Sequence, residues 1–312
     1  MEDEKQREAQ TSCHDTTDTN PMRDDLKNSG YGASLCLLCA SSRIENETQS
    51  YVRCRDCLTI SMKTPPPASE TLADSHVYER VADRRDGRVL SILNSLTGTP
   101  GGLLDLGCGN GAFLRLALDN GWRGRGIDGA PALVASAKVL GTLVELCDLD
   151  QWERREDDLY DAVRLWYTLE HIARPGRLIR LALESLKPGG VLLVGVPNDA
   201  TALCRLMSPS SRFWENRLHL HHYPPFGLER FLESLGLAIA LADVTLPSEL
   251  LRNSAIPFAS AFKHIGELDE AWEKGRDLVP QIASVFHKLG VGRTREIFFI
   301  KNASVASGNL VE

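Results

Sequence analysis

The sequence predicts an α/β protein in which helices cover both faces of a mostly parallel sheet, with a small cysteine-rich module before it. Short apolar runs alternate with helical patterns between about residues 100 and 198. A glycine-rich loop follows the first of these runs, and two close pairs of cysteines precede them. Strands that alternate with helices favour parallel pairing, which is the basis of the predicted fold class.

Composition narrows the possible functions. The chain has 312 residues and a formal net charge of −7. This acidic balance argues against nucleic acid as the main partner, because phosphate binding depends on a basic surface. No apolar run is long enough for a membrane span, and the acidic, polar start lacks the pattern of a secretory signal. We therefore expect a cytoplasmic protein, in which clustered cysteines suggest a metal rather than disulfides.

The cysteine pairs have the spacing of a zinc ribbon. They form two Cys-x-x-Cys motifs, made by Cys36, Cys39, Cys54 and Cys57. Two such turns can place four thiolates tetrahedrally around Zn²⁺. Four thiolates fill the coordination shell, so the prediction is a structural zinc rather than a catalytic one. Two redox-active pairs are the alternative interpretation.

Changes in composition divide the chain into five predicted parts. Polar residues dominate the start, which predicts disorder. The prolines of KTPPPASET predict a linker, because proline continues neither helix nor sheet. The predicted parts are a tail over 1–30, a zinc ribbon over 31–62, a linker over 63–75, a main domain over 76–304 and a tail over 305–312.

Periodicity predicts the elements at the two ends of the main domain. An amphipathic helix is expected from His76 to the sequence GTPGG, with apolar members Val77, Val81, Val89, Leu90, Ile92 and Leu93. A later helix is expected to end in LKPGG, ahead of the strand VLLVGVPN. Further patterns predict a helix in FGLERFLESLG, strands in LAIALADV and REIFFIKNAS, and mainly helical structure over 250–290.

The glycine loop in LLDLGCGNGAFL carries the main functional signal. Its spacing is Gly-x-Gly-x-Gly, with an acid two residues before the first glycine. A dinucleotide site would need Gly-x-Gly-x-x-Gly, but Ala112 follows the third glycine, which disfavours an NAD-dependent dehydrogenase. Asp128 ends the second strand, where an acid can hold ribose hydroxyls. Asp148 follows the third strand.

The stretch from about residue 100 to 198 resembles class I S-adenosylmethionine-dependent methyltransferases. The resemblance implies a Rossmann-like sheet of seven strands, mostly parallel, with an antiparallel last strand that REIFFIKNAS suits. It also implies that the glycine loop, the second-strand acid and the third-strand acid hold the cofactor. The predicted cofactor contacts are Asp105, Gly107, Gly109, Gly111, Asp128, Asp148, Leu149 and Trp166.

The carboxyl ends of the strands are the expected place for the methyl acceptor. The segment RFWENRLHLHHYPPF, over 212–226, resembles an H-x-H-H-[FY] stretch of small-molecule methyltransferases. A histidine there could act as a base near neutral pH. Candidate catalytic residues are His221, His222 and His171, and candidate substrate contacts are Tyr167, Asn198, Trp214, His219 and Tyr223. The alternative is that these histidines only hold a loop by hydrogen bonds.

One position departs from a related pattern. Ubiquinone-pathway O-methyltransferases resemble this chain at Leu-Glu-His-[IV] but usually carry another glutamate three residues before that glutamate, as part of a metal-assisted catechol site. Tyr167 stands at that place here. The departure disfavours a divalent metal at Glu170 and His171, and with it a catechol substrate.

These observations leave three functions open. The first is methyl transfer to an O or N atom of a small molecule or glycan-type precursor. The second is methylation of an RNA base, since ribosomal-RNA guanine methyltransferases also join a cysteine-rich zinc module to this fold. The third is a non-catalytic binding protein on a methyltransferase fold.

Overall fold

A computed structural model describes residues 34–64, 81–139, 141–155, 158–197, 218–224, 226–245 and 294–301. Its main layer is a seven-stranded sheet. The strands are β4 (Gly102–Leu106), β5 (Arg123–Asp128), β6 (Val144–Leu146), β7 (Tyr160–Trp166), β8 (Leu186–Pro197), β10 (Leu237–Thr245) and β11 (Thr294–Lys301). Their spatial order is β10-β11-β8-β7-β4-β5-β6.

The pairing confirms the predicted fold class. The five strands from β6 to β8 in that order are parallel, and β11 lies antiparallel between β8 and β10. Because the chain runs outward from β4 to β6 and then returns to β7, the loops after β4 and β7 meet at the point where the strand order reverses. Ligands of open α/β sheets bind at that point.

Five helices cover the sheet within the described residues. They are α1 (Arg84–Thr97), α2 (Ala112–Asp119), α3 (Pro131–Val139), α4 (Pro175–Glu184) and α5 (Gly227–Ser234). Strand side chains alternate between the two faces. Along β8, Val191 and Leu193 pack with α1 and α2, while Leu192 and Val194 pack with α4 and α5. In the part of the chain that the structure describes, no helix is long and apolar enough to cross a membrane.

The cysteine module, residues 34–64, forms a second sheet of β1 (Ile44–Asn46), β2 (Tyr51–Cys54) and β3 (Ile60–Met62). A two-residue strand of the main domain, β9 (His221–His222), completes this sheet by pairing antiparallel with β3. Cys36, Leu38 and Cys57 also pack into the core beneath α4 and α5. The module is therefore continuous with the main domain.

Two predicted boundaries were wrong. The first helix begins at Arg84, because Asp83 accepts hydrogen bonds from the amides of Arg85 and Asp86 and so caps it. Val81 precedes the helix and is 87% exposed, whereas the predicted apolar members Val89, Leu90 and Leu93 are buried. The LKPGG sequence belongs to strand β8, not to the helix before it. Val77 and residues 250–290 lie outside the described residues.

Candidate active site

The glycine loop after β4 has a backbone that side chains would disturb. Gly107, Gly109 and Gly111 have φ of 76°, 59° and 74°, a region that favours glycine. A Cβ on Gly107 would lie 2.3 Å from Thr168 Oγ1, and one on Gly111 would lie 2.7 Å from Thr142 Oγ1. The loop thus turns tightly at the start of α2, with backbone available to approach a ligand.

Asp105, at the end of β4, forms a buried ion pair that the sequence did not indicate. Arg164 Nη1 lies 3.0 Å from both carboxylate oxygens, and both side chains are buried. The Arg164 guanidinium also lies 4.1 Å from the centre of the Phe113 ring. This pair ties β7 to β4 directly beneath the glycine loop, so Asp105 stabilises the base of the loop from within the sheet.

Asp128 and Asp148 lie at the ends of neighbouring strands. Asp128 accepts hydrogen bonds from the amides of Gly109, at 2.7 Å, and Ala130, at 2.9 Å. Burial raises the pKa of Asp128, although these two amides oppose the shift. Asp148 accepts from the amide of Asp150, and Leu149 beside it is buried. The edge therefore presents two carboxyl groups and an apolar side chain next to the glycine loop.

Tyr167 follows β7 with φ of 52°, an unusual backbone conformation for a bulky side chain. Trp166 before it is buried and contacts two guanidinium groups, with Arg85 at 4.7 Å and Arg164 at 4.9 Å from its ring centre. Arg85 also contacts Glu296 at 2.6 Å. Burial would lower the pKa of Arg85, but Tyr167 and Glu296 outweigh it and raise that pKa. Arg85 and Glu296 were not predicted as site residues.

His171 lies in a short 3-10 helix, Leu169–His171, that follows β7. Its Nδ1 lies 2.7 Å from the carbonyl oxygen of Leu218. A carbonyl oxygen only accepts, so in the neutral ring Nδ1 carries the proton and Nε2 carries the lone pair. Glu170 Oε1 is 3.9 Å from Nε2, and the His219 ring centre is 5.0 Å from that of His171.

Glu170, His171 and His219 each offer a ligand atom, and these atoms lie within 4.8 Å of one another. The cluster therefore brings together a buried carboxylate and two half-buried imidazoles at the carboxyl edge of the sheet. The prediction that Tyr167 disfavours a metal here considered only Glu170 and His171 and did not include His219.

His221 is buried and bonded through both ring nitrogens. Nε2 lies 3.0 Å from the carbonyl oxygen of Ile172, and Nδ1 lies 2.9 Å from Ser61 Oγ in the cysteine module. Burial lowers the pKa of His221 to about 3, and neighbouring His222 contributes to the shift. This arrangement favours the alternative interpretation for His221, in which it holds the segment in place as a neutral ring.

The other predicted residues of this segment have mixed positions. His222 is buried, with its ring edge-on to Tyr51 of the cysteine module at 5.5 Å between centres. Tyr223 is buried and donates a hydrogen bond of 2.9 Å to the carbonyl oxygen of Leu169. Asn198 and Trp214 lie outside the described residues. Catalytic and substrate contacts for all these side chains remain predictions.

The four cysteine thiols converge. Cys36 and Cys57 sulfurs are 3.4 Å apart, Cys39 and Cys54 sulfurs are 3.6 Å apart, and all four lie within 4.8 Å of one another. Thiolates about 2.3 Å from a tetrahedral zinc would be about 3.8 Å apart. All four cysteines are free of disulfides. The donor set therefore fits a tetrahedral metal with soft ligands.

Comparisons with known proteins identify the family of the main domain. A family model described as a methyltransferase domain matches residues 76–242, more than half of the chain. A ubiquinone biosynthesis O-methyltransferase of Xanthomonas oryzae pv. oryzae (strain PXO99A) is 32% identical over 133 residues, 40% of this chain and 55% of the relative. That of Xanthomonas axonopodis pv. citri (strain 306) is 31% identical over 150 residues, 44% of this chain and 62% of the relative.

The chain thus spans a little over half the length of these relatives. Among solved structures, a SAM-dependent methyltransferase from Archaeoglobus fulgidus aligns with a TM-score of 0.49 and 19% identity, over 70% of this chain and 93% of that one. The family match covers the glycine loop, both acids at the strand ends and the histidine segment. The chain belongs to the class I S-adenosylmethionine-dependent methyltransferase family.

Proposed function

We propose that this protein transfers a methyl group from S-adenosylmethionine to an O or N atom of a small molecule or glycan-type acceptor. The observation that carries the proposal is the loop of Gly107, Gly109 and Gly111 set beside Asp128 at the point where the strand order reverses. The relatives named for ubiquinone biosynthesis act in a small-molecule pathway, which supports a small acceptor.

The cysteine module gives no support to an RNA substrate. Its arginines are paired with acids on the same module: Arg43 with Asp56, Arg53 with Glu47 and Arg55 with Glu45, each at 2.6 Å. Paired guanidinium groups attract phosphate weakly, because the neighbouring carboxylate opposes it. RNA binding whose affinity falls steeply with salt concentration would instead favour the hypothesis that the protein methylates an RNA base.

His171 is the base that we propose for the reaction. S-adenosylmethionine supplies an electrophilic methyl group on a sulfonium sulfur. The remaining task for the protein is to align the acceptor and, where the acceptor is a hydroxyl or ammonium, to take its proton. His171 is part-exposed at the carboxyl edge, and the Leu218 carbonyl directs its lone pair to Nε2. His221 has both nitrogens committed to buried hydrogen bonds.

We also propose that Cys36, Cys39, Cys54 and Cys57 hold one structural zinc. The spacing of the sulfurs supports this proposal, as does the backbone amide of Asp56, which donates to Cys54 Sγ at 3.4 Å. Bound there, zinc would cross-link the two Cys-x-x-Cys turns of a short module with few apolar residues of its own.

Replacing Asp128 with alanine tests the cofactor site. We expect S-adenosylmethionine affinity, measured by isothermal titration calorimetry, to fall about 10-fold to 100-fold, because buried ribose hydroxyls lose a charged acceptor. Asp119→Ala is the matched control, since this exposed carboxylate pairs with Arg115 on the outer side of α2. Equal affinity in wild type and Asp128→Ala would place the ribose elsewhere. Absence of binding to the wild-type protein would favour the non-catalytic alternative.

Replacing His171 with glutamine tests the proposed base. A panel of phenols, sugar alcohols and amines with labelled S-adenosylmethionine identifies an acceptor that the wild type methylates. With that acceptor we expect kcat to fall roughly 10²-fold to 10⁴-fold while cofactor affinity stays within about threefold. A parallel loss of cofactor affinity would show that His171 acts on the fold of the site rather than on the proton.

A further inference from the structure

The histidine segment Leu218–His222 is held between the cysteine module and the short helix that carries His171. On one side, the amide of Met62 donates to the carbonyl of Leu220 at 2.9 Å, and β3 pairs with His221 and His222. On the other side, the amide of Leu220 donates to the carbonyl of Glu170 at 2.7 Å. A displacement of β3 would therefore be transmitted to both Glu170 and His171.

Side chains of the module reinforce this backbone connection. Because the Ile172 carbonyl accepts from Nε2 of His221, a neutral His221 ring accepts at Nδ1 from the Ser61 hydroxyl. Tyr51 packs edge-on against His222. Ser61 and Tyr51 are both buried and lie far from the histidines in sequence, so they contact the segment only through the folded module.

The module itself is anchored firmly to the main domain. A Cβ on Gly176, in the first turn of α4, would lie 2.3 Å from the carbonyl oxygen of Leu38. A Cβ on Gly227, at the start of α5, would lie 2.1 Å from the carbonyl oxygen of Cys57. Backbone therefore packs directly on backbone at both Cys-x-x-Cys turns, which leaves β3 little freedom to shift.

We infer that the cysteine module helps to position the side chains of the acceptor site. Through β3 and Ser61 it holds Leu218 in place, and the Leu218 carbonyl then keeps the proton of His171 on Nδ1. Ser61 is then a positioning residue for the reaction. The inference rests on the proposed function in one respect, the role of His171 as the base. A neutral histidine without such a partner carries its proton mostly on Nε2, which would remove the lone pair that the base needs.

The ¹⁵N signals of histidine side chains test this inference on the full-length protein. Long-range ¹H–¹⁵N correlation spectra distinguish the two neutral tautomers, and His171→Gln identifies the signals of His171 among the eight histidines. We expect the wild type to show His171 protonated on Nδ1. In Ser61→Ala we expect a mixture in which the Nε2-protonated form predominates, and Ser61→Thr should restore the wild-type pattern because it keeps the hydroxyl.

Ser185→Ala is the matched control. Ser185 is also buried, and its hydroxyl donates to the carbonyl of Leu181 at the C-terminal end of α4. We expect it to lower stability without changing the His171 signals. An unchanged His171 tautomer in folded Ser61→Ala would overturn the inference, as would an equal change in Ser185→Ala.

Native-state hydrogen exchange gives a second test. It uses only the wild-type protein, so it can be carried out even if Ser61→Ala does not fold. The inference predicts that the amides of Leu220 and Cys54 open in one event at low denaturant, whereas the Tyr167 amide, bonded to Gly195, opens only later. Protection of Leu220 that persists after Cys54 has opened would overturn it. Neither readout requires methyl transfer, so failure of the proposed function and failure of this inference are distinguishable.

Discussion

Replacing Cys54 with serine is expected to release the zinc that we propose for the cysteine module and to open residues 34–64. Structural zinc contributes about 10–16 kcal/mol in zinc-finger peptides. The module's separate apolar cluster consists of only Tyr51, Ile60 and part-buried Met62, each contributing roughly 1.5–3 kcal/mol at most. The proposed zinc would therefore stabilise the module more than this separate cluster does, and three remaining thiolates do not complete a tetrahedral shell.

The measurement is zinc content by mass spectrometry together with hydrogen exchange across residues 34–64. We expect about one zinc per chain in the wild type, far less in Cys54→Ser, and faster exchange in the module of the variant. Cys108→Ser is the matched control, since Cys108 is buried and free but lies in the glycine loop, outside the thiol cluster. Stoichiometric zinc in Cys54→Ser would refute the assignment of these four ligands.

Local sequence signals were sufficient to predict the sheet and the loop at its centre. Most strands from β4 to β8 contain a short apolar run bounded by polar or glycine residues, whereas β5 reads RGRGID. The right-handed connections of such units leave few possible arrangements. The glycine spacing was informative because it is also a local signal. Gly107, Gly109 and Gly111 have φ above zero, a backbone conformation that favours glycine at those positions.

The long-range contacts that organise the candidate site could not be predicted from local sequence signals. Ser61 and His221 are 160 positions apart, and Arg164 is 59 positions from Asp105. Neither Ser61 nor Arg164 belongs to a recognisable motif, so only the folded chain shows that they are partners. Asp83 is a different case. Its spacing to Asp86 is a helix-start signal that would have moved the first helix to its observed beginning.

The histidines show how tertiary structure changes the interpretation of a motif. In sequence, His221 and His222 were stronger base candidates than His171, because they lie in a stretch rich in histidine and aromatic residues. In the fold, pairing with β3 buries both of them, whereas His171 stays part-exposed beside Glu170. A two-residue strand gives no periodicity from which this burial could have been predicted.

Burial of a neutral His221 predicts that the folded protein loses stability in mild acid. The pKa of His221 is about 3 in the folded state and about 6.5 in an unfolded chain. Between these values only the unfolded state binds the proton, so the free energy of unfolding falls as pH falls, by up to 1.4 kcal/mol per pH unit. From pH 7 to pH 5 this histidine alone should remove about 2 kcal/mol.

The variant His221→Gln isolates this contribution, because glutamine keeps a donor and an acceptor but does not titrate. In urea unfolding at pH 7 we expect His221→Gln to have a lower free energy of unfolding than the wild type. At pH 5 we expect the difference in free energy of unfolding between the two proteins to be about 2 kcal/mol smaller. His171→Gln, which removes a part-exposed histidine and leaves His221 in place, should keep the steep wild-type dependence. If the free energy of unfolding changes with pH equally in wild type and His221→Gln, the prediction is wrong. His221 would then take up a proton in the folded state, because a ring that stays neutral there makes the wild type lose more stability in acid than the variant.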